Sequence, residues 1–139
     1  MKRMLVNILM AVGITGPFVA HLAAQGANAV VEIPFAFVVS GQTMPAGKYT
    51  ISRMNAAGST FGLRDNHGRA SLVQLGVHET GRPQNPSLTF ACYGNDCALA
   101  KITPPDSLTA YALPQKSIEK NLPHHLGFAA QVSIKMTAR

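Results

Sequence analysis

The stretch Leu126-Gly127-Phe128-Ala129-Ala130-Gln131-Val132-Ser133-Ile134-Lys135-Met136-Thr137 decides the fold class. Its even-numbered residues from Leu126 to Met136 are apolar, and most of the odd-numbered ones between them are small or polar. Successive side chains of a strand point to opposite faces of a sheet, so a period of two gives one face to a core and the other to water. A helix would scatter the same apolar groups around its circumference. The run therefore reads as a strand.

The same alternation opens the domain. Ile33, Phe35, Phe37 and Val39 fall on one face, with Glu32, Pro34, Ala36, Val38 and Ser40 on the other. Pro34 has no N–H for a ladder, which predicts an edge strand or an irregular start. Turn residues then punctuate the chain at Met44-Pro45-Ala46-Gly47, Asn55 to Gly58 and Asp65-Asn66-His67-Gly68. Between them, Lys48 to Met54, Ser59 to Arg64 and Arg69 to Glu79 read as strands carrying Tyr49 and Ile51, Phe61 and Leu63, and Val73, Leu75 and Val77. Ser87 to Tyr93 and Cys97 to Thr103 form a hairpin around Gly94-Asn95. Short strands at this spacing predict an all-β fold, an antiparallel β-sandwich or small barrel of about seven strands. Thr103 to Pro114 lacks useful periodicity and reads as a loop. Gln115 to Leu122 reads as a short helix before the last strand, ended by Pro123, with Ile118 and Leu122 forming an apolar face to dock on a sheet.

Composition narrows the class further. The 139 residues are 47% hydrophobic and 13% charged, with 12 Lys+Arg against 6 Asp+Glu. That excludes a large multidomain enzyme, a disordered charged tail and a polytopic membrane protein. Lys2 and Arg3 precede an apolar stretch from Met4 to Ala24, broken at Pro17, which is the layout of a secretory signal peptide. Ala27-Asn28-Ala29 fits the small-x-small cleavage rule and Ala24-Gln25-Gly26 is the second candidate. Cleavage after Ala29 is the expectation. The chain then divides into a leader, residues 1–29, and a single β domain, residues 30–139, exported to the periplasm or beyond and with no membrane span after cleavage. The remaining basic residues never occur as neighbours, so the dense positive stripe that nucleic-acid binding needs is missing.

Cys92 and Cys97 flank the Gly94-Asn95 turn. A two-residue turn puts Tyr93 opposite Asp96, Cys92 opposite Cys97 as a non-hydrogen-bonded pair, and Phe90 opposite Leu99. Cα atoms about 4.5 Å apart admit a disulfide, which an oxidising compartment favours. The loop it closes is short, so it stabilises by about 2 kcal/mol before strain and pins the hairpin rather than the domain. The spacing is not the Cys-x-x-Cys of a redox site, and His124-His125 would both reach one metal only from irregular backbone. Neither a metal nor another cofactor is expected. No Gly-x-Ser-x-Gly elbow, phosphate-binding glycine loop or sequence-adjacent pair of carboxylates occurs. The binding elements expected are the Thr80 to Pro86 loop, which carries Arg82, the adjoining His78, and the Thr103 to Pro114 loop with Tyr111 as its aromatic.

Three segments together, Val31 to Phe37, Met44 to Ile51 and Leu88 to Gly94, resemble a group of small exported proteins predicted from acidobacterial genomes. The shared motifs are Pro-Ala-Gly-x-Tyr, here Pro45 to Tyr49, and Phe-x-x-Tyr-Gly, here Phe90 to Gly94. Leu113 to Ser117 is similar to that group's Leu-Pro-x-Ser region with one residue more. The resemblance implies export and an all-β domain, and it assigns no activity. The sequence thus points to a non-enzymatic binding or structural module of the cell envelope, with a small ligand or an envelope component as partner. Two alternatives stand beside it: a small hydrolase or isomerase using a histidine and a carboxylate such as His78 and Glu79, and self-assembly through an exposed edge at the apolar N-terminal strand.

Overall fold

The computed structural model describes residues 28–55, 59–80 (77–80 by backbone alone), 85–105, 108–122 and 130–139. Its elements in chain order are β1 (Ala29–Ile33), β2 (Phe37–Val39), β3 (Gln42–Met44), β4 (Gly47–Arg53), β5 (Thr60–Asp65), β6 (Ala70–Gln74), β7 (Val77–Thr80), β8 (Ser87–Tyr93), β9 (Asp96–Thr103), β10 (Thr109–Ala112), α1 (Gln115–Asn121), β11 (Ala130–Lys135) and β12 (Thr137–Ala138). They form two sheets. The first has the order β12-β1-β4-β5-β6; the second runs β11-β8-β9-β10-β7, with the β2-β3 hairpin joined to β9 through a parallel pairing of β2. The fold is all-β as expected and, of the two forms expected, the sandwich; it has twelve described strands rather than about seven, one parallel pairing, and one described helix, ahead of β11 and β12.

Three sequence runs that read as single strands are each divided between the sheets. Pro34 is neither an edge position nor an irregular start: it lies at the corner where the chain leaves β1 in the first sheet for β2 in the second. The Arg69 to Glu79 run divides at Leu75-Gly76 into β6 and β7, and the C-terminal run divides at Met136 into β11 and β12. At that last corner the Met136 N–H bonds the Pro86 carbonyl at 2.9 Å and the Arg139 N–H bonds the Asn28 carbonyl at 2.9 Å. One strand thereby stitches β8 to β1 and closes one flank of the sandwich. The expected Thr103 to Pro114 loop contains a strand, β10, paired with β9 and β7. Four residues with a single large apolar side chain were too short to show a period.

The core between the sheets is aromatic at its centre. Phe37 from β2 makes edge contacts with Tyr49 of β4, ring centroids 5.3 Å apart, and with Phe90 of β8, also 5.3 Å apart. Phe35, at the Pro34 corner, adds a T-shaped contact to Phe90 at 5.1 Å. The Tyr49 hydroxyl donates to the Pro45 carbonyl. Burial raises its pKa above the ordinary value, nearby Asp65 adds to the rise, and Arg69 opposes it.

The Cys92–Cys97 disulfide is present, with Cα atoms 4.1 Å apart. The pairs Tyr93–Asp96 and Phe90–Leu99 follow the register that the turn dictates. Gly94, at φ 61°, supplies the left-handed conformation that opens this turn. Beyond Leu99 the register shifts, and Ala100 is the extra residue of a bulge in β9.

Candidate functional site

The bulge at Ala100 starts a chain of contacts that builds a cleft. Its carbonyl accepts the Leu113 N–H at 2.8 Å, continuing the β9–β10 ladder one residue past β10. This fixes Pro114, whose backbone is preset for the start of α1 and whose carbonyl accepts the Ser117 N–H at 2.9 Å. Ile118 then falls on the small residues Ala91 and Ala100, with Leu113 beside it, and Leu122 is buried one turn further on. Both halves of the expected apolar face of the helix are thus buried.

Opposite α1 stands the tip of the β2-β3 hairpin. Ser40 and Gly41 form a two-residue turn with φ of 50° and 74°, the primed geometry that suits the twist of a hairpin. Ser40 is the one described non-glycine residue with positive φ, a conformation that persists where its surroundings over-determine it. They do so here. The Ser40 hydroxyl donates to the Leu72 carbonyl of β6 at 2.7 Å, and the Gly41 N–H donates to the Asn121 side-chain oxygen of α1 at 3.2 Å. The turn is clamped between an edge strand and a helix.

The space so enclosed is a cleft of about 370 Å³. Val73 and Leu113 give it an apolar floor, and Ser40, Gly41, Gln74, Ser117, Lys120 and Asn121 line its rim. Among the described residues its one ionisable lining residue is a cation, Lys120. The other side chains offer neutral groups: the Ser117 hydroxyl, the Gln74 amide, the Asn121 amide nitrogen and the lone pairs of Ser40 Oγ. A concave site with an apolar floor and a few convergent polar groups is the usual form of a small-molecule site.

A second concavity, about 410 Å³, lies on the outer face of the first sheet. Met54 and Leu72, 57% and 59% exposed, lean over Gly62. A Cβ at Gly62 would sit 3.1 Å from the Met54 sulfur, so the glycine makes room for that side chain. Met54 and Leu72 form its apolar wall, and Arg64 and Arg139 also line it.

The residues singled out from sequence fare differently. Tyr111 is not a loop aromatic: it lies in β10, is 6% exposed, and packs on Phe61 with ring centroids 5.4 Å apart. The Arg53 guanidinium lies 5.8 Å from the centroids of both rings. Tyr111 therefore belongs to the core. His78 lies in β7 directly opposite Tyr111 in the β7–β10 register, so these two are neighbours on the backbone. The side chains of His78 and Glu79, together with Arg82, His124 and His125, lie outside the described residues. His67 is exposed at a turn whose carboxylate, Asp65, accepts the His67 and Arg69 N–H groups at 2.9 and 2.8 Å. Among the described residues no group of three or more His, Cys, Asp or Glu could hold a metal ion, and no helix is long and apolar enough to cross a membrane.

Sequence reasoning missed the cleft. Its local signal was the Ser40-Gly41 turn dipeptide; the partners Leu72 and Asn121 lie 32 and 80 residues away in the chain. Comparison with family models, with characterised proteins and with solved structures finds no match to this chain.

Proposed function

We propose that the chain is an exported, non-enzymatic binding module of the cell envelope, and that the cleft between β6, the β2-β3 turn and α1 is its ligand site. The observation that carries this reading is the convergence of Lys120 with hydroxyl and amide groups over an apolar floor, with no acidic residue in the lining among the described residues. Such a lining suits a small hydroxylated anion, as in the carboxylated sugars of envelope polymers. The cation meets the carboxylate, the hydroxyl and amide groups meet the sugar hydroxyls, and the half-buried Leu113 meets the ring's carbon face. Calorimetric titration with glucuronate tests it. Wild-type protein gives a saturable heat with glucuronate and a much weaker one with glucose, and Lys120→Ala weakens glucuronate binding about tenfold, the scale of one charged hydrogen bond. Equal binding by Lys120→Ala, or no heat from wild type, would refute the reading.

Export is supported by the leader composition, by the disulfide and by the resemblance to small exported proteins. The fold also bears on the point of cleavage. Ala29 is 1% exposed in β1, opposite Ala138 and Ile51, and the Asn28 carbonyl holds the Arg139 N–H. A cut after Ala29 would delete both residues from the folded ladder. A cut after Gly26, the second small-x-small site, keeps β1 whole. N-terminal sequencing of the exported protein is expected to read Ala27 first; Val30 as the first residue would contradict this.

A further inference from the structure

The sheet edges differ in how they are protected, and one has no covering partner among the described residues. Exposed strand edges are usually blunted by shortness, by a covering segment, by charge, by proline or by a bulge. Here β12 has two residues, β3 three and β7 four, and β6 is crossed by the Ser40 hydroxyl on its Leu72 carbonyl. β11 has six residues with neither proline nor bulge, and it pairs only with β8 among the described strands. Ala130, Gln131, Ser133 and Lys135 are exposed. Val132 and Ile134 pack on the core but stay half-buried, so the core is incompletely covered at this edge.

The hydrogen-bond phase of β11 follows from its end. Because the Met136 N–H bonds the Pro86 carbonyl, the even-numbered residues direct their backbone groups to β8, and Gln131, Ser133 and Lys135 direct theirs outward. We propose that this edge pairs with β11 of a second copy of the chain, antiparallel about a two-fold axis at Ser133. In that register Ser133 meets Ser133, Gln131 meets Lys135, and Val132 meets Ile134. The strand is self-complementary: no lysine faces a lysine, the small serine sits at the axis, and the half-buried apolar residues complete each other's cover. Moving the axis to Val132 leaves Lys135 unmatched within the strand, and moving it to Ile134 drives Gln131 against the Met136 corner. Next to Lys135 lies a groove of about 540 Å³ lined by Glu32, Lys48, Thr137 and Arg139.

Sedimentation of the full domain over a range of concentrations, together with two variants, tests the proposal. Wild type is expected to pass from monomer to dimer as concentration rises. Ser133→Cys is expected to form a covalent dimer under mild oxidation, because a hydrogen-bonded antiparallel pair spaces its Cα atoms about 5.5 Å apart. The native cysteines are already paired, so residue 133 would carry the one free thiol. Ser133→Pro removes an outward N–H and leaves the backbone ladder to β8 intact, losing toward β8 only the 3.0 Å contact of the Ser133 and Thr89 hydroxyls, so it is expected to weaken the dimer tenfold or more while the circular dichroism spectrum is retained. A wild type that stays monomeric at every concentration overturns the proposal. So does a dimer that Ser133→Cys fails to cross-link; that readout holds even if the proline variant misfolds.

Discussion

Phe37→Ala is expected to destabilise the domain by about 3–5 kcal/mol, the range for deleting a buried phenylalanine. For a domain with 5–15 kcal/mol in total, that loss leaves little or no folded population in mild denaturant. The position explains the size of the effect. Phe37 is 1% exposed and belongs to the second sheet, yet it touches both Tyr49 of the first sheet and Phe90 of the second. Removing its ring opens a cavity between the layers that neither sheet can close without shifting against the other. Leucine at the same position restores much of the volume and is expected to cost less than half as much. Urea unfolding followed by tyrosine fluorescence measures both variants. A loss below about 1 kcal/mol for Phe37→Ala would mean that the aromatic cluster does not join the sheets.

A stop after Lys135 is the second large expected effect. It removes four residues, of which Met136 is 6% exposed in the core, and burial of this kind is worth about 2–5 kcal/mol by truncation to alanine. It also removes the Met136 bond to Pro86, the Arg139 bond to Asn28 and the β12–β1 pairing, each hydrogen bond adding about 1 kcal/mol. The truncated protein should therefore be less stable than Met136→Ala by a few kcal/mol. That comparison separates the stitch from the side chain. If the two variants unfold at the same urea concentration, the terminal pairing contributes nothing and the flank is held closed by other contacts.

What the sequence made legible, and what it hid, follows from the geometry of a sandwich. Register was readable at Cys92 and Cys97 because a two-residue turn leaves one way to pair the strands it joins. The helix at Gln115–Asn121 was readable because Ile118 and Leu122 sit one turn apart. The passage of the chain from one sheet to the other was not readable. Ile33, Phe37 and Val39 keep one parity across the Pro34 corner, as do Val132, Ile134 and Met136 across theirs, because both sheets face the same core. An alternating pattern therefore continues unbroken through a change of sheet. The apolar N-terminal run suggested an exposed edge for the same reason, yet β1 pairs β4 throughout and β12 at its start, and β2 pairs both β3 and β9. The cleft was hidden differently. Ser40, Gln74 and Lys120 are ordinary surface residues in the sequence, and only the clamp of the turn onto Leu72 and Asn121 makes them neighbours.

Binding in the proposed cleft is read from backbone amide shifts of the isotope-labelled mature domain during titration with glucuronate. Saturable shifts are expected at Ser40, Gly41, Gln74, Ser117, Lys120 and Asn121, and their loss in Lys120→Ala with the rest of the spectrum unchanged. Shifts centred elsewhere on the domain, or no shifts at saturating ligand, would contradict binding in the cleft.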